Sequence, residues 1–217
     1  SAFNVRFIVV SLLYALGSQT VYHSFGSSAF TNRFMLVTIT GISGNKKGEV
    51  MVMSNIWHDI SPSRITKDDF IAVIEIEKGS KKKYELDKET GHLILDRILY
   101  TSTHYPTNYG FIPRTYADDN DPLDVLVLCS EVIQPLSLVR CYPIGVITML
   151  DQGRLDEKII AIPFQDPTYN TYRDVNELPA HLFTEISHFF SVYKNLEGKE
   201  TVVDELRGAD DARAVIE

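Results

Sequence analysis

The sequence predicts a mainly β protein with flanking helices, an α+β chain built on a small β-barrel. Three observations carry this. Short β-rich apolar runs recur from Ile71 onward, turn signals separate them, and the apolar period then switches to that of a helix. A length of 217 residues is enough for one good core with an extension.

The elements follow in order. Ile71–Ile76 is rich in β-branched residues and ends at the Lys78-Gly79-Ser80 turn. Short β-like runs sit at Tyr84–Leu86, His92–Leu95, Val125–Leu128, Ser137–Tyr142 and Ile159–Pro163. Glu89-Thr90-Gly91, Asp118–Pro122 and Asp151-Gln152-Gly153 are the turns between them. Regularly spaced short strands suggest a small closed barrel. Leu182, Ile186, Phe189, Phe190 and Tyr193 then fall at helical spacing after Pro179, with Gly198 past the end. This predicts an amphipathic helix packed outside the barrel, and a shorter helix begins near Ala209.

Residues 1–52 differ from the rest. They carry Arg6, Arg33, Lys46 and Lys47 against Glu49 alone, and Phe7–Leu16 is an apolar run too short to span a bilayer. The segment is either targeting-like or an accessory, non-native extension, because Met53 opens a stretch that resembles a natural start. The domain is therefore expected at 53–217. Cys129 and Cys141 lack metal-ligand spacing and read as small hydrophobes rather than a disulfide.

The net charge of −8 argues against nucleic acid, whose duplex form calls for a basic face. An acidic chain can still take a phosphate substrate where cations intervene. The densest charge is Asp118-Asp119-Asn120-Asp121-Pro122-Leu123-Asp124, just before the strand Val125–Leu128. Such crowding is unfavourable unless neutralised, and magnesium is a usual partner beside phosphate oxygens. A solvated acidic loop is the bland alternative. An EF-hand is not, because Gly at loop position six and a closing Glu are both missing. Asp151 and Asp156, followed by Lys158, form a second acidic pair that a polar hairpin would equally explain. Lys83, Arg97, Lys158 and Lys194 are candidate phosphate cations, with Lys83 and Glu85 on one strand face. Spacing alone does not bring them together, and Tyr109 reads as core as readily as ligand.

These segments in order resemble the soluble family I inorganic pyrophosphatases. Asp119-Asn120-Asp121-Pro122-Leu123-Asp124-Val125 fits that family's signature, with Asn in place of the commoner Gly or Ser. Ile74-Glu75-Ile76, Lys83-Tyr84-Glu85-Leu86-Asp87, Asp96-Arg97 and His104–Pro113 stand around it, and Asp151–Lys158 and His188–Lys194 follow. The resemblance runs from Trp57 to about Ile216 and leaves no catalytic position missing. It implies an OB-type five-stranded barrel and hydrolysis of diphosphate to two orthophosphates by a metal-bound hydroxide, with several Mg2+ ions per site. Asp119, Asp124, Asp151 and Asp156 would hold metal, with Glu75 and Glu85 on the other wall. Asp121 would orient and deprotonate water, helped catalytically by Tyr109, Lys158 and Lys194. Lys83, Arg97, Tyr109, Lys158, Tyr193 and Lys194 would bind substrate. The resemblance also implies self-association, with a homohexamer favoured over a dimer, and a cytoplasmic core, or an organellar one if residues 1–52 target it. No nucleic acid and no membrane are expected for the core. The rival readings are another metal-dependent phosphohydrolase and an OB-type binding module.

Overall fold

The structure is a computed structural model, and it describes residues 55–117 and 121–217. Residues 1–54 and the acidic positions Asp118 and Asp119 lie outside the described residues. The elements are β1 (Phe70–Ile76), β2 (Lys82–Leu86), β3 (Leu93–Ile98), β4 (Asn108–Phe111), β5 (Asp124–Val127), β6 (Leu138–Asp151), β7 (Arg154–Pro163), α1 (Ala180–Val192), β8 (Thr201–Gly208) and α2 (Ala209–Ile216).

Five strands form a ring. β1 pairs with β4, β4 with β5, β5 with β7, β7 with β6, and β6 returns to β1. Among the described strand pairs only β5–β7 is parallel. β8 adds to β6 outside the ring, and β2–β3 is a separate hairpin.

Val125–Val127 of β5 and Ile159–Ile162 of β7 are unbroken apolar runs because both faces are buried there. Along β5 and β7, Leu126, Ile160 and Ile162 join one cluster, which also holds Phe183, Ile186, Phe189 and Phe190 of α1. Their neighbours Val125, Val127, Ile159 and Ala161 join a second cluster that includes Ala212 of α2. The pleat sends alternate residues to opposite faces, so each strand serves two cores. Burying each large α1 side chain is worth about 1.5–3 kcal/mol, which holds this helix against the strands.

The helix reading agrees with α1, whose chain turns in at Pro179. Gly198 closes the short 3-10 turn Asn195–Glu197 with φ 69°, one step beyond the helix itself. α2 begins at Ala209, where its backbone N–H donates to Asp174 Oδ2 at 2.8 Å. Two strands escape the sequence reading. β4 is Asn-Tyr-Gly-Phe, with no β-branched residue, and it exists because β1 and β5 both pair with it. β8, Thr-Val-Val-Asp-Glu-Leu-Arg-Gly, has no strict alternation and is a strand because it is laid along β6. β6 also continues past Tyr142, because a bulge between Pro143 and Gly145 accommodates the proline. Its turn into β7 places Gln152 and Gly153 at φ 51° and 80°, a left-handed pair suited to a two-residue hairpin. Both cysteines are free, Cys141 fully buried.

Gly110 of β4 lies so close to β1 that an added Cβ would sit 1.8 Å from the Val73 carbonyl oxygen. Gly110→Ala should therefore lower unfolding free energy by roughly 3 kcal/mol or more. The midpoint of urea unfolding checks this, and an unchanged midpoint would contradict the close β1–β4 approach.

Candidate active site

The parallel pairing of β5 with β7 sets Asp124 opposite Lys158. Asp156 lies two residues before Lys158 and so shares its face. Lys158 is only 2% exposed, and its Nζ donates to Asp124 Oδ2 at 2.6 Å and to Asp156 Oδ1 at 2.9 Å. It also stands over the rings of Tyr109 and Phe190, at 5.6 and 5.3 Å from their centroids. Burial works against its charge, but Asp124 and Asp156 outweigh that cost and hold its pKa well above an ordinary lysine's. The Tyr109 hydroxyl donates to Asp124. Burial, reinforced by the charge of Asp124, pushes the Tyr109 phenol up, so it stays a neutral donor.

Asp151 closes β6 and pairs with Lys194, which follows α1. Its other oxygen, Oδ1, is buried with no hydrogen-bond partner. Tyr193, at the end of α1, is buried beside them, and burial outweighs Lys158 in raising its phenol.

The opposite wall comes from β1 and the β2–β3 hairpin. Lys83 pairs with Glu85 and, at 3.3 Å, with Asp96. Glu75 is buried in β1, where its Oε1 accepts the Leu86 N–H at 2.8 Å. Burial first, and the charge of Asp124 second, push its pKa up to about 8. Asp121 pairs with Lys88.

These two walls enclose a cavity of about 280 Å³. Asp121, Asp124, Asp151, Asp156, Glu75 and Glu85 line it with Lys83, Lys158, Lys194, Tyr109 and Tyr193. Every described position expected in the site is thus gathered there except Arg97. Arg97 stands across from Lys83 on β3, but its guanidinium is held by Asp96 and by Glu197 at 2.8 Å, and it does not line the cavity. A larger cavity of about 420 Å³ shares Asp124 and Asp156, yet Arg114 is the one lysine or arginine among its described lining residues. A polyanion is better matched by the smaller one, with its several ammonium groups.

Among the described residues, no three His, Cys, Asp or Glu side chains stand close enough together to hold one metal ion. Lysine ammonium groups sit between the carboxylates instead. The donor chemistry nonetheless fits a hard divalent cation. Carboxylates arrive from β5, β6 and β7, and the unpartnered Asp151 Oδ1 is an acceptor awaiting a donor or a cation.

Sequence reading gave no role to Lys88 or Trp57, both of which line the cavity. The signal was slight: Lys88 sits in a turn, and Trp57 is the chain's one tryptophan.

A ring of five strands with helices outside it places this chain among the OB-type proteins. Comparison with known proteins narrows this. The family model described as inorganic pyrophosphatase matches residues 72–217. The soluble inorganic pyrophosphatase 2 of Chlamydomonas reinhardtii is 50% identical over 163 residues, covering 75% of this chain and 85% of that protein. The soluble inorganic pyrophosphatase PPA1 of Solanum tuberosum is 51% identical over 154 residues, 71% of this chain and 73% of the relative. The solved inorganic pyrophosphatase of Helicobacter pylori aligns with TM-score 0.70 at 42% identity, over 73% of this chain and 94% of that one. This chain belongs to the inorganic pyrophosphatase family.

Glu75 yields a test of the wall's electrostatics. Its carboxyl ionises near 4.5 when unfolded and near 8 when folded, so the folded protein loses stability as pH rises from 4.5 to 8 and no further above. Glu75→Gln lacks this loss. In chelator, its stability relative to the parent should climb across that window, as followed by thermal unfolding, and a pH-independent difference would contradict the burial argument.

Proposed function

We propose that this chain hydrolyses diphosphate to two orthophosphates with magnesium, several ions per site. The supporting observation is the convergence of Asp124, Asp151 and Asp156 with Lys83, Lys158 and Lys194 on one cavity. Family membership supports a divalent-metal requirement in general, and the choice of magnesium rests on its fit to carboxylate and phosphate oxygens.

Asp124, Asp151 and Asp156 would hold metal, together with Asp119, and Glu75 and Glu85 would serve from the hairpin side. When bound, the metal supplies positive charge beside the diphosphate oxygens and makes water acidic enough to attack near neutral pH. Asp121 orients the attacking water and accepts its proton as oxygen bonds to phosphorus. The bridging P–O bond breaks, and the leaving phosphate takes the electron pair. Lys158 and Lys194 place fixed positive charge where that negative charge grows. Tyr109 and Tyr193, kept neutral by burial, remain hydrogen-bond donors to phosphate oxygens. Lys83 receives the diphosphate from the hairpin wall, and Arg97 joins it on release from Glu197.

The chemistry is assigned to residues 53–217, with 1–52 an extension, and the family match over 72–217 supports this placement. We further infer that the core self-associates, as a homohexamer before a dimer, and works in the cytoplasm. Its match to 94% of the H. pylori chain supports a core of the short type. Among the described residues no helix is long and apolar enough to cross a membrane.

Phosphate release from diphosphate, ATP and a phosphomonoester should favour diphosphate strongly and cease with chelator. Equal rates on all three would sink the assignment. Asp121→Asn should lower turnover by about two to four orders of magnitude in saturating magnesium, and Asp124→Ala at least as much. Parent-like turnover in Asp121→Asn would remove the proton-accepting role.

A further inference from the structure

Residues 55–60, upstream of β1, run from the β2–β3 turn to the loop that follows β4. On the hairpin side, Asn55 Nδ2 donates to the Lys88 carbonyl at 3.1 Å. On the other side, Trp57 Nε1 donates to the Thr115 carbonyl at 3.2 Å, and the Arg114 N–H donates to the Trp57 carbonyl at 3.0 Å. The Arg114 guanidinium also donates to the carbonyls of His58 and Ile60. The segment thus ties the β2–β3 turn to Arg114 and Thr115, after β4. The Trp57 ring is buried against Val73, Leu86 and Phe111.

Lys88 meets both sides of this strap. Its Nζ stands 5.6 Å from the Trp57 ring centroid and pairs with Asp121. Both side chains of that ion pair are about half exposed, at 50% and 48%. An exposed pair adds little to folding stability, typically about 0–1 kcal/mol. A cation fixed on a buried ring is a poor device for stability and a good one for direction. Asp121 stands among other carboxylates that repel it, and a fixed positive charge on one side settles where its oxygens rest.

We propose that Lys88, braced on the Trp57 ring, is a positioning residue for Asp121. Lys88 aims the Asp121 carboxylate, and the strap that carries Trp57 sets Lys88. This role rests on the reading of Asp121 as proton acceptor. It also extends the working site upstream of residue 72, where the family match begins.

Steady-state kinetics on diphosphate in saturating magnesium test it, using the full chain with Lys88→Ala, Lys88→Arg, Asp121→Asn and the Lys88→Ala/Asp121→Asn pair. Lys88 is half exposed, so these substitutions leave the fold intact, and an unchanged unfolding midpoint checks that. Lys88→Ala should lower kcat roughly three- to tenfold, the order expected for one partly screened charge-assisted contact, with KM within about twofold. Lys88→Arg should restore most of the loss. In the Asp121→Asn background, Lys88→Ala should add no further loss, because Lys88 acts through that carboxylate. Parent-like kcat in Lys88→Ala, or the same fold loss in both backgrounds, would overturn the proposal. If Asp121→Asn keeps full turnover, the proton-acceptor reading fails and takes this role with it. A deep loss in Asp121→Asn beside a parent-like Lys88→Ala defeats the positioning role alone.

Discussion

The ion triplet of Lys158 with Asp124 and Asp156 is the interaction on which the rest of the site depends. An ammonium that is 2% exposed bridges carboxylates on adjacent parallel strands. Without it, two like charges would face each other at the rim of a packed core. Removing one partner of a buried ion pair typically costs about 3–5 kcal/mol. The apolar surroundings that make the charges costly also make them strong, because little water screens them. Here that low dielectric is supplied by Phe190 and Tyr109, whose rings also face the ammonium.

The topology brings these charges together. Adjacent hairpin strands would have sufficed for a sheet, but the ring sets β5 beside β7 across a long excursion through β6. That arrangement draws Asp124, Asp151 and Asp156 from three strands whose alternate residues are locked in two hydrophobic clusters. Rigid strands fix the carboxylates, while the β2–β3 hairpin, outside the ring, supplies Lys83 and Glu85. The hairpin is anchored where the Leu86 N–H reaches buried Glu75.

Much of this was legible in the sequence because the signals are local. The acidic run ahead of Val125–Leu128 and the Asp151–Lys158 hairpin each fall within a short stretch, and strand alternation places Asp156 and Lys158 on one face. β4 and β8 were not legible, since pairing from neighbours rather than their own residues makes them strands. Lys88 meeting Asp121 was hidden for a related reason. The two are separated by 33 positions and meet only because the strap and the hairpin fold over the barrel. Arg97 shows the converse. Its position in sequence suggests the cavity, whereas its guanidinium is taken by Glu197 from beyond α1.

If the barrel carboxylates form a cation site, a divalent ion should relieve their mutual repulsion. The most direct measurement is thermal unfolding of the parent and of Asp124→Asn/Asp156→Asn, with and without magnesium and without substrate. A ligand that binds the folded state raises its stability in proportion to RT ln(1 + [L]/Kd). Magnesium should raise the parent's unfolding temperature and barely move the double variant's. An equal rise in both would mean that the ion binds elsewhere than on Asp124 and Asp156.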